Sequence, residues 1–241
     1  VYLDNNATTQ MAPEVIEAVA QVESSVFGNA SSMHTFGRRA GALVEDARLK
    51  VAQLLECETS EITFTSGASE ANNTIFMIAK SLIEKRGSGR IVTSAVEHPS
   101  IIETVKYLKS IGIHVDLAPV GKDGRVIMSE LEKLMGPDVV LTSIMTGNNE
   151  TGAIMDIATI SQMAHKCGSL MHTDATQAIG KIKVSCKEWN LDYLSCSGHK
   201  FYGPKGVGVL VAKKGVPFMP FVHGGEQEHG RRAGTYNTAA I

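Results

Sequence analysis

The sequence predicts an α/β fold: a mainly parallel, mixed sheet of about seven strands with helices on both faces. Three observations lead there. Short apolar runs of strand length alternate with longer stretches of helical periodicity along the chain. No internal repeat or low-complexity linker interrupts that alternation. Polar, glycine-containing clusters follow most of the apolar runs, which is where an open parallel sheet collects its ligands.

Taken in order, the strands are expected at Glu61–Thr65, Arg90–Ala95, His114–Pro119, Val139–Met145, Ser169–Thr173, Tyr193–Cys196 and Val207–Ala212. Each is a compact apolar or β-branched run bounded by polar residues or glycine. Helices are expected near Pro13–Ser25, Gly37–Leu55, Glu70–Lys85, Ser100–Ile111, Glu130–Met135 and Ile157–Cys167. Ser129 with Glu132 has the spacing of a capping box for the fifth of these.

Composition narrows the function classes. The 241 residues carry a formal net charge of −2 and no long basic block, which argues against nucleic acid or an anionic membrane as partner. Apolar runs are too short for a membrane span, and there is no charged-then-apolar leader. The four cysteines, Cys57, Cys167, Cys186 and Cys196, contain no Cys-x-x-Cys pair. They read as reduced, partly buried thiols of a cytoplasmic protein, with no metal site. The chain starts at Val1 and stops at Ile241 without an obvious closing element, so a fragment of a longer polypeptide is expected.

The chemistry-bearing residues sit in the loops after the strands. Lys200 lies at the tip of Ser197-Gly198-His199-Lys200, where a lysine can form a Schiff base with an aldehyde cofactor, or can simply belong to an exposed basic loop. Ser197 and His199 could bind that cofactor's phosphate. Thr65-Ser66-Gly67-Ala68-Ser69-Glu70 reads as strand, small-residue turn and helix start: an anion site on backbone amides and the Ser69 hydroxyl, or an ordinary helix cap. His98, with Pro99 opening a helix, could stack on an aromatic ring and move protons, or be a loop histidine. Asp174 ends an apolar run, where its carboxylate could keep a pyridine nitrogen protonated or cap a short helix. Gln177 and Asn149 could hydrogen-bond a ring oxygen, against a reading of plain turn chemistry for Asn149. Each bland reading stands alone; their joint occurrence in this order favours the cofactor.

With those residues in view, the chain resembles the class V aminotransferase group of fold-type-I pyridoxal-phosphate enzymes, and within it the cysteine desulfurases of the NifS/IscS type. The resemblance runs from Tyr2–Thr9 and Phe27–His34 through Ser66–Asn72, Glu97-His98-Pro99, Asn148–Gly152, His172–Gln177 and Ser197–Gly206 to Gly230–Thr235. It implies pyridoxal 5'-phosphate bound by Lys200, His98 stacked on its ring, Asp174 on the pyridine nitrogen, and Asn149 and Gln177 on the ring-oxygen side. It further implies Ala68 (through its backbone), Ser69, Ser197 and His199 around the phosphate. Thr235 would complete the phosphate cup of the neighbouring subunit of a homodimer. Ser69 stands where relatives usually have threonine, and Ala30 where they usually have proline. The implied layout is an N-terminal segment, residues 1–14, packing on a small domain; a large cofactor domain, 15–241; and a C-terminal small domain beyond this sequence.

The implied activity is removal of sulfur from L-cysteine to give L-alanine and an enzyme persulfide, whose sulfur passes to an iron–sulfur scaffold or another acceptor. That reaction needs a nucleophilic cysteine on a mobile loop and a substrate-carboxylate arginine, both expected after Thr235. None of the four cysteines matches that loop. Cys196 comes nearest, but its place on a strand predicts a buried, inert thiol. Alternatives are another class V enzyme, such as a selenocysteine lyase or an aminotransferase, or an inactive cofactor-binding fragment.

Overall fold

The computed structural model describes residues 1–241. Its strands are β1 (Ile62–Thr65), β2 (Arg90–Ser94), β3 (His114–Ala118), β4 (Val139–Ser143), β5 (Leu170–Asp174), β6 (Tyr193–Ser197) and β7 (Gly208–Ala212). They form one seven-stranded sheet in the order β1-β7-β6-β5-β4-β2-β3. Only β7 runs antiparallel to its neighbours, β1 and β6; the other pairs are parallel. Inserting one reversed strand between β1 and β6 leaves those two parallel, so the carboxyl ends of β1, β2, β4, β5 and β6 share one edge.

The helices are α1 (Pro13–Ser25), α2 (Thr35–Leu55), α3 (Ala68–Arg86), α4 (Pro99–Ser110), α5 (Met128–Leu134) and α6 (Ile157–Lys166). Two apolar layers enclose the sheet. One joins Val44 and Leu55 of α2, Leu131 of α5 and Ile157 and Ile160 of α6 to one face. The other joins Ile75 and Phe76 of α3 and Ile101 and Leu108 of α4 to the opposite face. Because both faces are covered, the inner strands are buried throughout and read as continuous apolar or small-residue runs rather than as alternations. No helix is long and apolar enough to cross a membrane.

All thirteen expected elements are present, and four boundary differences bear on the site or on packing. β5 and β6 each extend one residue beyond expectation, to Asp174 and Ser197, so both side chains stand on strand rather than loop. Ladder bonds explain the extension: Thr146 N–H donates to the Asp174 carbonyl at 2.9 Å, and Ser197 pairs with Gly208. α3 begins at Ala68, two residues early, which puts Ala68 and Ser69 in its first turn. The capping box assigned to Ser129 and Glu132 is not formed. α5 starts at Met128 after Ile127, with no side-chain cap. The β-bridge between Val120 and Val126 delivers the chain so that the Ile127 carbonyl accepts from Glu130 and Leu131, and Ser129 falls inside the helix. A capping box does occur at Glu58 and Glu61, on the short 3-10 turn before β1.

Candidate active site

At the shared carboxyl edge lies a cavity of about 390 Å³. All five expected loops reach it: Ser66–Ser69 after β1, His98 after β2, Gly147 and Asn149 after β4, Asp174–Gln177 at the end of β5, and Ser197–Lys200 at the end of β6. Nine of the ten expected site residues line it. Thr235 does not; it is exposed and lines a separate cavity beside Ser66 and Gly206, residues that the two cavities share.

One wall is built for an anion. No side chain caps α3, so the N–H groups of its first turn stay free at the positive end of a 19-residue helix. Ser69, Ser197, His199 and Lys205 surround that helix end in the same cavity. Gly208 brings the pieces together. A Cβ on it would stand 2.5 Å from the Gly67 Cα and 2.7 Å from the Cys196 carbonyl oxygen, so only glycine lets the helix start lie against β7. Glu70 braces the turn from outside: it accepts from Ser66 N–H at 2.9 Å and from Arg232 Nε at 2.9 Å. Burial alone would raise its pKa, but Arg232 and Ser66 together lower it.

The opposite wall carries the carboxylate. Asp174 is 4% exposed and accepts from Asn72 Nδ2 at 2.8 Å and Thr176 N–H at 2.9 Å. The second bond is the turn-capping role set against the cofactor role, and Asp174 keeps one oxygen for each neighbour. Asn72 also donates to Ser100 Oγ at 2.9 Å, and Ser100 Oγ lies 2.8 Å from His98 Nδ1. A continuous chain therefore joins His98 to Asp174 through Ser100 and Asn72. Ser100 N–H donates to His98 Nδ1 at 3.1 Å, which makes Nδ1 the acceptor and leaves the proton of the neutral ring on Nε2. Beneath this chain, Ser195 Oγ donates to Asn72 and faces His172 Nε2 at 3.2 Å. Burial pushes the His172 pKa down to about 4, so that ring stays neutral.

Lys200 occupies a 3-10 turn, Gly198–Lys200, and its Nζ donates to the carbonyls of Asn6 and of Ala7, the latter at 2.8 Å. Its pKa is lowered, first by burial and then by the charge of Lys181, against the pull of Asp174 and Asp4. The His199 pKa is also lowered, by burial and then by Lys200, Lys205 and His98. Gln177 donates to the Asn6 carbonyl at 2.7 Å and accepts from Lys181 at 2.9 Å. Asn149 donates to Glu150 at 2.8 Å, and its carbonyl accepts from Asn6 at 2.8 Å.

Sequence reasoning missed the N-terminal contribution: Ala7 and Thr8 line the cavity, and Thr9 N–H donates to the His199 carbonyl at 2.9 Å. It also missed Asn72 and Ser100, which lie on helices and carry no loop signal. Cys196, by contrast, is where the sequence puts it: on β6, 2% exposed, its pKa pushed up to about 12 by burial. None of the four cysteines lines this cavity.

The donor set fits a phosphorylated aromatic aldehyde: a primary amine, a free helix N-terminus, a buried carboxylate and an imidazole around one space. The buried Thr176 Oγ1 on the cavity wall has no hydrogen-bond partner, as expected of a group waiting for a ligand.

The class-V aminotransferase model matches residues 1–241. A cysteine desulfurase of Sinorhizobium fredii is 45% identical over the whole chain, which covers 62% of that relative. The cysteine desulfurase NifS of Azotobacter vinelandii is 42% identical, again over the whole chain and 60% of the relative. Among solved structures, a NifS-like protein superposes with a TM-score of 0.97 at 43% identity, covering 100% of this chain and 66% of that one. A structure described as SspA in complex with cysteine gives 0.93 at 36% identity, covering 99% and 69%. The chain thus spans about three fifths of the length of these curated relatives.

Proposed function

Because this chain belongs to the class-V aminotransferase family, we propose that it is the cofactor-binding part of a pyridoxal-phosphate-dependent cysteine desulfurase. The observation that carries the reading is the convergence of Lys200, Asp174, His98 and the uncapped start of α3 on one 390 Å³ cavity. The similarity to desulfurases along the whole chain supports the choice of reaction, and a similar structure was solved with cysteine.

When bound, pyridoxal phosphate supplies an electrophilic aldehyde and a protonated ring that takes up the charge left at the substrate α-carbon. The protein residues divide the remaining work. The N–H groups of Ala68 and Ser69, with the Ser69 and Ser197 hydroxyls and His199, would bind the phosphate. Asp174 would hold the proton at the ring nitrogen, with its own orientation fixed by Asn72 and Thr176. Asn149 and Gln177 would bind the ring oxygen, the Gln177 amide oriented by the bond from Lys181 to its oxygen. Lys200 Nζ would hold the aldehyde and carry the α-proton. Its lowered pKa increases the fraction that is unprotonated and able to do either. His98, with its Nε2–H available, would lie over the ring and manage the substrate thiol proton.

The cysteine that accepts the sulfur is taken to lie outside these 241 residues. So are the acceptor, an iron–sulfur scaffold or another thiol, and the second subunit that Thr235 would serve.

The test is reconstitution. Wild-type chain incubated with pyridoxal phosphate and dialysed is expected to retain a visible absorbance band. Lys200→Ala is expected to lose it. An unchanged band in the variant removes Lys200 from the reading. Sulfide and alanine released from L-cysteine, once a complementing C-terminal portion is added, test the reaction itself.

A further inference from the structure

A second chemical cluster lies on the α2 face, away from the site. Cys57 follows the C-cap of α2 and is half-buried; Cys186 lies in the loop before β6 and is 7% exposed. Both line a cavity of about 630 Å³ bordered by Glu56, Glu58, Glu61 and Lys213. The two side chains border the same space, and the backbones that carry them meet beside it. Three bonds hold the segments in that approach. Cys186 N–H donates to the Leu55 carbonyl at 2.9 Å, Ser185 Oγ donates to Glu56 at 2.6 Å, and Lys183 Nζ lies 3.2 Å from Glu56.

We propose that Cys57 and Cys186 form an oxidation-sensitive dithiol, in which a hydroperoxide oxidises Cys57 and Cys186 then closes a disulfide. In the first step the Cys57 sulfur gives up its proton and attacks a peroxide oxygen. The O–O bond breaks, the departing hydroxide takes up the proton that the thiol released and leaves as water, sulfur is oxidised by two electrons and the peroxide is reduced, giving a sulfenic acid. In the second step Cys186 attacks the Cys57 sulfur, and the S–O bond breaks. The hydroxide leaves as water with the Cys186 proton. The balance is two thiols and one hydrogen peroxide to one disulfide and two waters.

The environment assigns the order. Cys57 has access to solvent through the cavity. Cys186 is buried, and the neighbouring Cys57 together with burial raises its pKa, so it stays a neutral thiol until its neighbour becomes electrophilic. Cys196 is fully buried, and its thiol is occupied by β6 packing. Cys167 is as accessible as Cys57 but has no thiol beside it; its Sγ donates to the Ala164 carbonyl at 3.2 Å. It is the internal control. The disulfide would clamp the end of α2 to the loop feeding β6, the strand that leads to Ser197 and Lys200.

The experiment uses the 241-residue chain with hydrogen peroxide as the probe. After titration, free thiols are alkylated under denaturing conditions and the protein is digested without reductant. The expected result is loss of two hydrogen atoms from the intact mass and a single linked peptide pair joining Cys57 to Cys186, with Cys167 and Cys196 alkylated. Reduction should restore the starting mass, and the oxidised form should melt at higher temperature. C57S should abolish the linked pair. C186S should leave a Cys57 sulfenic acid that dimedone traps. A Cys57–Cys196 link, or oxidation of Cys57 only to sulfinic acid in the wild-type chain, overturns the proposal. The wild-type peptide map decides even if a variant fails to fold.

Discussion

At the scale of single residues, the cavity rests on buried polar groups whose protonation the fold dictates. Glu97 is the clearest. It is 6% exposed, its Oε1 accepts from Ser94 Oγ and from Met145 N–H at 3.0 Å, and its Oε2 has no partner. Burial raises its pKa from 4.5 to about 8, the two hydrogen bonds opposing and Asp174 reinforcing the shift. The folded state therefore keeps a proton that the unfolded chain has already lost between those two values. The unfolded state binds fewer protons there, so this residue makes stability fall as pH rises from 4.5 to about 8, and the loss is complete above that. Glu97→Gln keeps the accepting oxygen and cannot ionise. It is expected to match wild type below the window and to be more stable, by on the order of a few kcal/mol, above it. Urea unfolding at the two ends of the window checks this; a difference between the two proteins that does not change with pH would exclude a protonated Glu97. Residue chemistry of this kind was only half legible in the sequence. Asp174, His98 and Lys200 announce themselves by following apolar runs. Asn72 and Ser100 do not, and Glu97, although it stands beside His98 after the same run, gives no sign of its role, because what matters is the burial and the cross-element partners that only the tertiary fold supplies.

At the scale of elements, the site depends on how closely α3 approaches the reversed strand β7. Gly208 is the contact point, paired with both Thr65 and Ser197 across its two neighbours. Gly208→Ala drives a methyl into the Gly67 Cα and the Cys196 carbonyl, both backbone atoms that cannot swing aside. The expected cost is about 1–3 kcal/mol of stability. The more specific consequence is displacement of the α3 start from Ser197, and so a weaker hold on phosphate. Calorimetric binding of pyridoxal phosphate to wild type and variant measures it. If stability falls while affinity is unchanged, the approach of α3 to β7 serves packing alone. The alternation of elements and the edge on which they end were legible from periodicity, since both follow from local pattern and connection rules. That β7 is the reversed strand was not. Val207–Ala212 is apolar on both faces like its parallel neighbours, and nothing in its residues records direction. Helix starts were displaced for a related reason: Ala68 and Ser69 are small residues without helical periodicity, and Gly67 and tertiary packing set the start of α3.

At the scale of the whole molecule, the question is what keeps the C-terminal stretch, with Arg232 and Thr235, against the body of the domain. Most of it is turn and coil, and one buried ion pair anchors it. Arg48 of α2 donates to both carboxylate oxygens of Glu228, each at 2.9 Å, and to the Ile62 carbonyl at 3.0 Å. Glu228 also accepts from Phe64 N–H at 2.9 Å, while the guanidinium sits 4.9 Å over the Phe64 ring. Burial alone would lower the Arg48 pKa, but the bonds and charge of Glu228 outweigh it and raise it. Both side chains are 2% exposed, so removing one leaves the other charged and without its counter-ion in the interior. Arg48→Met is expected to cost about 3–5 kcal/mol, and pairing it with a neutral, similarly sized residue at Glu228 should recover much of that loss. The anchor also bears on the site, because Arg232 follows Glu228 closely and braces Glu70 against the Ser66 turn. Limited proteolysis should therefore cut Arg48→Met after the β7 region faster than wild type, together with a drop in retained pyridoxal phosphate. Faster cleavage with full cofactor retention would mean that the C-terminal stretch rests on the domain without shaping its cavity.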